Sequence, residues 1–361
     1  MTDPRGTLRA GDWRIDELEP ATAPEADLLA VHRLMVALER EALPDVPVPP
    51  AEHALAEYRR APAFRHRRWW VSRHGDFGET PNPGDEVVGW ATCVWHDLPD
   101  NRSHCEVDVA VAPSVRGRGL GSALFAAVVE AAARWDASLL DIYARVGGPG
   151  EPFLRRIGAE LRQVERRSAC LTSDLDRPML ERWVRRAGER AANYSLIGWD
   201  GPCPDDLLPA VCDLVAVMNT APRDDLEWDD QHITPDVWRE REAASDAQGF
   251  DSWRLCARHD DSGELAGFTE LSFPRRWPEM AYQGDTGVWP KHRDRGLGRW
   301  LKAAMALRLV DERPAVTRIE TWNAGGNQPM LAINEAMGFA GLENWGAWQV
   351  PVARARSALA S

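Results

Sequence analysis

Two arginine- and glycine-rich segments lie about half a chain apart, and both have the composition of an anion-binding loop. The first reads Arg116-Gly117-Arg118-Gly119-Leu120-Gly121, and the second reads Arg293-Asp294-Arg295-Gly296-Leu297-Gly298. Glycines let the backbone turn tightly and approach a ligand closely. Each segment leads into a helical pattern, and the free N–H groups at a helix N-terminus attract phosphate. The arrangement therefore favours the binding of a phosphate-bearing molecule.

Neither segment matches the two most familiar phosphate-loop patterns. The dinucleotide fingerprint needs three glycines, but Ser122 takes the third position in the first segment and Asp294 the first position in the second. The Walker A pattern ends in Gly-Lys followed by Ser or Thr, and both segments lack that ending. What they share is Arg-x-x-Gly-x-Gly after an apolar, strand-like run that ends near a proline.

The sequence around the two segments repeats as well. Residues 86–91 (EVVGWA) parallel residues 264–269 (ELAGFT), and the strand-like run at 139–144 parallels the run at 317–322. Self-similarity at a fixed spacing indicates two related domains. Alternating strands and helices around a central glycine loop predict the α/β class.

The predicted domains are residues 1–175 and 193–361, each long enough to bury its own core. A richly charged helical pattern predicts a connector over 176–192. The segment from Val352 onwards is predicted to be a frayed end.

With two such loops in matching contexts, the chain resembles a tandem, two-domain member of the GCN5-related N-acetyltransferase (GNAT) superfamily, with a layout similar to that of the mycothiol synthases. The family's second motif is Asn, then an aromatic residue seven positions on, usually Tyr, then Gly-Phe. The second half matches at Asn327, Gly338 and Phe339, and Asn334 stands in the tyrosine position. In the first half this motif is eroded, since Gly147 stands at the asparagine position.

The resemblance implies a fold and an activity. Each domain is expected to be a mixed, mostly antiparallel twisted sheet flanked by helices, in which two strands splay apart and acetyl-CoA (coenzyme A) enters the gap. The implied enzyme is an acetyl-CoA-dependent N-acetyltransferase, in which a primary amine of a small molecule attacks the thioester directly. The C-terminal domain, with its better motif, is predicted to be the catalytic one, and the N-terminal domain to bind CoA weakly or serve as scaffold.

Two alternative functions stay open. One is a non-catalytic acyl-CoA-binding sensor, which the missing tyrosine favours. The other is an aminoacyl-transferring relative of the same fold. That relative needs a basic patch for transfer RNA, and a formal net charge of −13 weighs against one.

The residues that the resemblance assigns to CoA are the two loops, the end of each preceding strand and the motif asparagine. In the C-terminal half they are Val288, Arg293, Asp294, Arg295, Gly296, Leu297, Gly298, Arg299 and Asn327. In the N-terminal half they are Val111, Arg116, Gly117, Arg118, Gly119, Leu120, Gly121 and Ser122. The structural alternatives are solvated arginines, turn glycines and, for Asn327, a helix cap.

Four residues are candidates for catalysis. Asp108 and Asp285 take equivalent positions on the strands before the loops, and Glu270 lies on the neighbouring hairpin strand. A carboxylate beside the acceptor amine acts as a general base directly or through water, although an exposed strand aspartate is the alternative reading. Asn334 is the fourth candidate through its place in the motif, but an amide cannot donate a proton as tyrosine does.

An acidic segment is the candidate acceptor site. Residues 200–230 contain nine acids and one base, Arg223. The candidate substrate-binding residues are Asp225, Glu227, Trp228, Asp229 and Asp230. Such a segment favours a cationic acceptor through its field and a cation–π face, whereas the alternative is a solvated acidic turn.

Bulk properties exclude several other classes. The net charge disfavours nucleic acid and anionic membranes as partners. The six cysteines are scattered without a CxxC pair, which predicts buried thiols in a reducing cytoplasm and no metal site. A bilayer-spanning apolar run and a signal-peptide pattern are both missing, which agrees with a cytoplasmic location.

Overall fold

A computed structural model describes residues 8–10, 13–43, 48, 50–59, 64–73 and 84–360. The chain forms two compact units. Unit 1 comprises Met1–Arg162 and Ala347–Ser361, and unit 2 comprises Gln163–Gly346. The predicted domain boundaries follow the sequence repeat, whereas this division follows spatial contacts, so those boundaries stay a prediction.

Unit 1 is an α/β unit with a mixed sheet. Its strands are β1 (Leu8–Ala10), β2 (Trp13–Leu18), β3 (Arg65–Arg73), β4 (Val87–His96), β5 (His104–Val111) and β6 (Leu139–Arg145). Its helices are α1 (Glu25–Ala42), α2 (Ala51–Arg59), α3 (Leu120–Arg134) and α4 (Glu151–Arg156). The strands lie side by side in chain order, antiparallel up to β5, and β6 then pairs parallel with β5.

Unit 2 repeats this plan. Strand β7 (Glu160–Leu171) runs into it, and the next elements are α5 (Arg177–Arg190), β8 (Tyr194–Asp200), α6 (Leu208–Val215) and α7 (Pro235–Ala247). They are followed by β9 (Phe250–His259), β10 (Leu265–Pro274), β11 (Met280–Val288), α8 (Leu297–Glu312), β12 (Arg318–Ala324), α9 (Gln328–Met337) and β13 (Ala340–Pro351). The order in this unit is β7-β12-β11-β10-β9-β8, and β11 with β12 is the parallel pair among mostly antiparallel ones. The expected fold class is confirmed.

Apolar residues at helical spacing fix the helix that follows the first loop. Leu120, Leu124 and Val128 are buried on one face of α3, as expected for a core-facing helix. Gly89 on β4 allows the close approach, because a Cβ atom there would stand 2.8 Å from Leu120 and 2.9 Å from Leu124. The helix is thereby held directly over the strands that end at the loop.

The parallel strand pair in each unit separates before it reaches the loop. In unit 1 the pairing of β5 with β6 covers residues 104–107, although β5 continues to Val111. In unit 2 the pairing of β11 with β12 covers residues 280–282, although β11 continues to Val288. Each unit therefore has the splayed strand pair that the resemblance implies, and a glycine loop follows it.

The prediction of a frayed C-terminal end is wrong. Helix α10 (Val352–Ala360) belongs to unit 1, and Val352 and Ala355 are buried in its core. Arg354 and Arg356 hold its outer face by ion pairs to Glu160 and Glu130. The apolar spacing within this short segment was the available signal for a packed helix.

The six cysteines are buried free thiols, as predicted. None of the described helices is long and apolar enough to cross a membrane.

A lysine is buried in the core of unit 2. Lys302 on α8 is 2% exposed, and its Nζ atom lies 5.6 Å from the centre of the Phe339 ring. Phe125 takes the same position in unit 1, the sixth after the loop glycine, and belongs to the core there. Burial lowers the pKa of Lys302 to about 7.

We predict that Lys302→Met stabilises the protein most at low pH. The unfolded lysine keeps its proton up to its ordinary pKa of 10.5, but the folded one loses it near 7. The stability of the parent should therefore rise with pH across that window, and below pH 7 the buried charge should cost roughly 3–5 kcal/mol. Urea unfolding at pH 6 and pH 10 measures the gain.

The control is Lys291→Met, at the only other lysine of the chain, whose side chain is 63% exposed. A gain for Lys302→Met that is equal at both pH values would contradict the assignment of a suppressed charge.

Candidate active site

The two glycine loops have the same backbone shape. Each follows a short 3-10 turn and opens a helix whose N-cap glycine is left-handed, Gly119 with φ 85° and Gly296 with φ 81°. A Cβ atom at either glycine would meet nothing within 4 Å, so both face open space. The first N–H groups of a helix lack partners inside it. The residues present therefore fit a phosphate group at both loops.

The leading arginine of each loop binds the strand that precedes it. The Nε atom of Arg116 donates to the carbonyl oxygen of Val111 over 3.1 Å, and that of Arg293 donates to Val288 over 3.0 Å. The rest of the Arg116 guanidinium forms two hydrogen bonds to Glu41, at 2.8 and 2.7 Å. These contacts tie each loop to its strand, and contact of the arginines with phosphate stays a prediction.

Other predicted residues of the first loop also have protein partners. Leu120 is buried in the core. The Ser122 hydroxyl accepts a hydrogen bond from Arg156 over 2.6 Å, and the Arg118 carbonyl accepts one from Trp13 over 2.9 Å. The two loop glycines 117 and 119 and the Arg118 side chain are exposed.

The second loop is similar. Leu297 is buried, and Arg295 donates to the carbonyl oxygen of Lys291 over 2.9 Å. The Arg299 guanidinium lies 5.5 Å from the centre of the Trp183 ring on α5. The side chains of Arg293, Asp294, Arg295 and Arg299 are exposed.

A cavity of about 670 Å³ lies against the first loop. The loop glycines, the end of β5, the last turn of α1 and the start of α4 line it, with Val111, Glu41, Arg145 and Arg156 among the wall residues. Its wall thus contains the loop and the end of the splayed strand, which is the expected place for CoA. Asp108 is not among its lining residues.

The two motif asparagines both contact protein. Asn327 is the N-cap of α9, and its side-chain oxygen accepts the Met330 N–H over 3.4 Å. Asn334 is 2% exposed, and its amide nitrogen donates to Asn323 over 2.7 Å, while its Oδ1 atom is buried without a partner. A role in cofactor binding or catalysis stays a prediction for each.

An irregularity between β10 and β11 distinguishes unit 2 from unit 1. Thr269 pairs with Thr286 and Leu271 with Gln283, so Glu270 faces two residues, Gly284 and Asp285. This is a β-bulge, which redirects side chains. In unit 1 the corresponding pairing of β4 with β5 is continuous from Gly89 to Val94.

The bulge brings Glu270 and Asp285 together. The Asp285 N–H points at the Glu270 carboxylate over 3.4 Å, and a Cβ atom on Gly284 would stand 2.7 Å from the same oxygen. Only glycine at 284 leaves room for this arrangement. The Arg254 Nε donates to Glu270 over 3.2 Å, and the guanidinium lies 4.8 Å from the centre of the Trp238 ring. Glu270 is therefore held in place from two sides.

Asp285 has the electrostatics of a base that works near neutral pH. Asp285 is exposed to a cavity, and the protein atoms around its carboxyl group displace part of its hydration, which raises its pKa to about 7. The negative charge of Glu270 also raises that pKa, and the Arg241 guanidinium opposes the rise. In unit 1, burial followed by the charge of Glu106 raises the pKa of Asp108 to about 6.

The cavity beside Asp285 has a volume of about 690 Å³. Its wall combines apolar groups with charged ones, among them Met218, Phe268, Glu270, Arg241 and Trp228. Of the five predicted acceptor residues, it includes Trp228. Asp225, Glu227, Asp229 and Asp230 are exposed outside the cavity lining, and Asp230 forms an ion pair with Arg223 at 2.9 Å.

Sequence reasoning missed three residues that shape this site. Gln283 is buried and ties the bulge together, donating to the Glu270 carbonyl oxygen over 2.7 Å and to Thr269 over 3.1 Å. Arg254 holds Glu270, and Arg241 faces the cavity. A glycine inside a strand signals a bulge, so Gly284 was the available clue.

The comparisons with known proteins agree on one family. The model of the acetyltransferase (GNAT) family matches residues 35–148 and 216–339, which include both loops. Comparison with curated sequences gives no match.

Solved structures of similar architecture cover almost the whole chain. One is a tandem GNAT protein from the clavulanic acid biosynthesis pathway, solved without acetyl-CoA, with 26% identity, a TM-score of 0.71 and coverage of 94% of this chain and 98% of that one. Another is a GCN5-related N-acetyltransferase from Sphaerobacter thermophilus, with 16% identity, a TM-score of 0.62 and coverage of 98% and 97%. At 16% identity the second supports the fold alone.

We predict opposite pKa shifts of Asp285 in two variants. Glu270→Gln removes a negative charge and should lower this pKa below 7, and Arg241→Gln removes a positive charge and should raise it above 7. Carbon-13 NMR titration of the aspartate carboxyl groups measures both, with Asp285→Asn to assign the signal. Equal values in all three proteins would mean that neither charge acts on Asp285.

Proposed function

We propose that this chain, which belongs to the acetyltransferase (GNAT) family, is an acetyl-CoA-dependent N-acetyltransferase acting on a primary amine of a small molecule. The observation that carries the proposal is the position of Asp285. It combines a pKa of about 7 with a place on the strand that leads into loop 293–298, and it lines a cavity of about 690 Å³.

The cofactor assignment depends on the loops. Bound acetyl-CoA supplies the acyl group as an activated thioester. The N–H groups that follow Gly296 would hold its pyrophosphate, since they begin α8 and face open space. Thr286, Gly287 and Val288 pair with β10 but lie beyond the last pairing of β11 with β12, so the strand edge that faces away from β10 would orient the acyl donor.

Asp285 would act as the general base. A primary amine is protonated and cationic in neutral water, and only its neutral form is a nucleophile. With a pKa of about 7, a large fraction of Asp285 is ionised at neutral pH and can take that proton, directly or through water. Asn334 cannot act as a general acid, because a side-chain amide is not acidic, and its amide nitrogen already donates a hydrogen bond to Asn323.

Catalysis is assigned to the C-terminal half. Unit 2 has the bulge and the Glu270–Asp285 pair, whereas Thr92 pairs with Asp108 in a continuous ladder in unit 1. The first loop, with its own cavity of about 670 Å³, would bind CoA without turnover.

The net charge of the chain supports the proposed acceptor, and its free thiols support the proposed compartment. The net charge of −13 favours approach of a cationic amine and disfavours nucleic acid. Trp228 offers the amine an aromatic face in the cavity wall. Six buried free thiols fit a reducing cytoplasm.

We predict that Asp285→Asn lowers kcat/KM by roughly 10²-fold or more near neutral pH, the usual size of a general-base effect. The loss should shrink at high pH, where the amine is already neutral. In the parent, kcat/KM should rise with pH through about 7 as Asp285 loses its proton. CoA release assayed with a panel of amines measures both profiles.

Asp108→Asn is the matched control for this experiment, because it removes the equivalent carboxylate of unit 1. It should leave the profile unchanged. Identical pH–rate profiles for the parent and Asp285→Asn would remove Asp285 from the mechanism.

We further predict that the two loops differ in function. Valine is strained at the left-handed φ of 81° at Gly296 and of 85° at Gly119. Gly296→Val should abolish most turnover, whereas Gly119→Val should remove one CoA-binding event and leave most turnover. Calorimetry with CoA and the release assay measure the two effects. Loss of turnover in Gly119→Val, with activity kept in Gly296→Val, would reverse the assignment.

A further inference from the structure

We propose that the acceptor carries a carboxylate as well as its amine, and that Arg241 on α7 binds this carboxylate. The acceptor class is then a small amino acid whose amine lies at Asp285. The inference rests on the proposed function for the role of Asp285, but it concerns a separate group of the ligand and a separate residue of the cavity.

The four other arginines of the cavity wall are paired with acids of the protein. Arg275 lies 2.8 Å from Asp251, and Arg313 lies 3.1 Å from the same carboxylate. Arg254 is bound to Glu270 at 3.2 Å. Arg223 is also occupied, since it pairs with Asp230 and donates to the Trp228 carbonyl oxygen. These four cations are already compensated by the protein.

Three further acids of the cavity wall are paired with arginines of the protein. Asp200 pairs with Arg308 at 2.8 Å, and Glu242 pairs with Arg239 at 2.6 Å. Asp246 pairs with Arg275 at 2.5 Å. Their charges are likewise used within the protein.

Two charged groups of the cavity wall are left over. In the part of the chain that the structure describes, neither the Arg241 guanidinium nor the Asp285 carboxylate has an ion pair or a side-chain hydrogen bond. Both line the same cavity, Arg241 from α7 and Asp285 from the bulge of β11. The cavity therefore offers a ligand one cation and one carboxylate.

The environment of Arg241 favours an anion. Its guanidinium is exposed to the cavity, and the negative charges of Asp285 and Glu270 act on it without touching it. An arginine without a bound partner can bind a carboxylate with two parallel hydrogen bonds. A ligand that brings a carboxylate to Arg241 and an amine to Asp285 matches both groups.

The pairing of the charged groups in the cavity wall also disfavours a polyamine as the acceptor. A second ammonium group in this cavity would find every acid except Asp285 already paired, and it would meet Arg241 as a like charge. Like charges brought close together repel each other. Ornithine and putrescine carry the same two amines and differ by one carboxylate, so this pair isolates the contribution of the carboxylate.

Binding and turnover are measured on the full-length protein with three matched pairs of probes. They are ornithine and putrescine, lysine and cadaverine, and 4-aminobutyrate and butylamine. We expect the carboxylated member of at least one pair to bind more tightly in calorimetry and to have a kcat/KM at least 10-fold higher. Arg241→Gln should remove that preference mainly by raising KM, whereas Arg241→Lys should keep part of it.

The control is Arg275→Gln, which removes a paired arginine of the same cavity and should keep the preference. The inference is overturned if none of the three pairs shows a preference for the carboxylated member, or if Arg241→Gln weakens both members of a pair equally. Failure of the proposed function gives a different result, because carboxylate binding that depends on Arg241 would then persist in calorimetry without CoA release for any probe.

Discussion

The mismatch between β10 and β11 sets the positions of Glu270 and Asp285 in the wall of the cavity of about 690 Å³. Two residues of β11 face one residue of β10, and the Gln283 amide fixes this geometry by donating to the Glu270 carbonyl oxygen. Without the extra residue, Asp285 would sit in a regular ladder, as Asp108 does opposite Thr92. The bulge places two carboxyl groups near each other, and their mutual repulsion is part of what raises the pKa of Asp285 to about 7.

The groups behind the bulge show why the pair is asymmetric. Glu270 has Arg254 as a partner, and Arg254 is itself fixed against the Trp238 ring. Asp285 has a backbone N–H directed at Glu270, but among the described residues no cation is bound to its own carboxylate. One carboxyl group therefore has an arginine partner, whereas the pKa of the other is raised by burial and by its neighbour's charge. Two adjacent acids in such unlike surroundings are typical of acid–base chemistry.

Much of the fold could be predicted because short, local sequence patterns determine it. The repeated glycine loops located the start of α3 and α8. The bulge could not be read in the same way, since register depends on which residues of two strands meet. Arg241 and Arg254 were missed for a related reason, because their roles depend on partners that other elements bring to them. Helix α10 was missed because the core residues of unit 1 that its buried face contacts lie far away in sequence.

The two glycine loops keep the same backbone path although their side chains differ. Asp294 stands where the first loop has Gly117, yet both residues have a left-handed backbone, with φ 64° and φ 74°. Aspartate tolerates that conformation better than most residues, so the path of the chain is preserved while the side chain changes. In both units the preceding arginine donates from Nε to the carbonyl oxygen at the end of the strand. The other partner of this arginine differs between the units. Recurrence of the arginine is therefore explained by the tie between strand and loop.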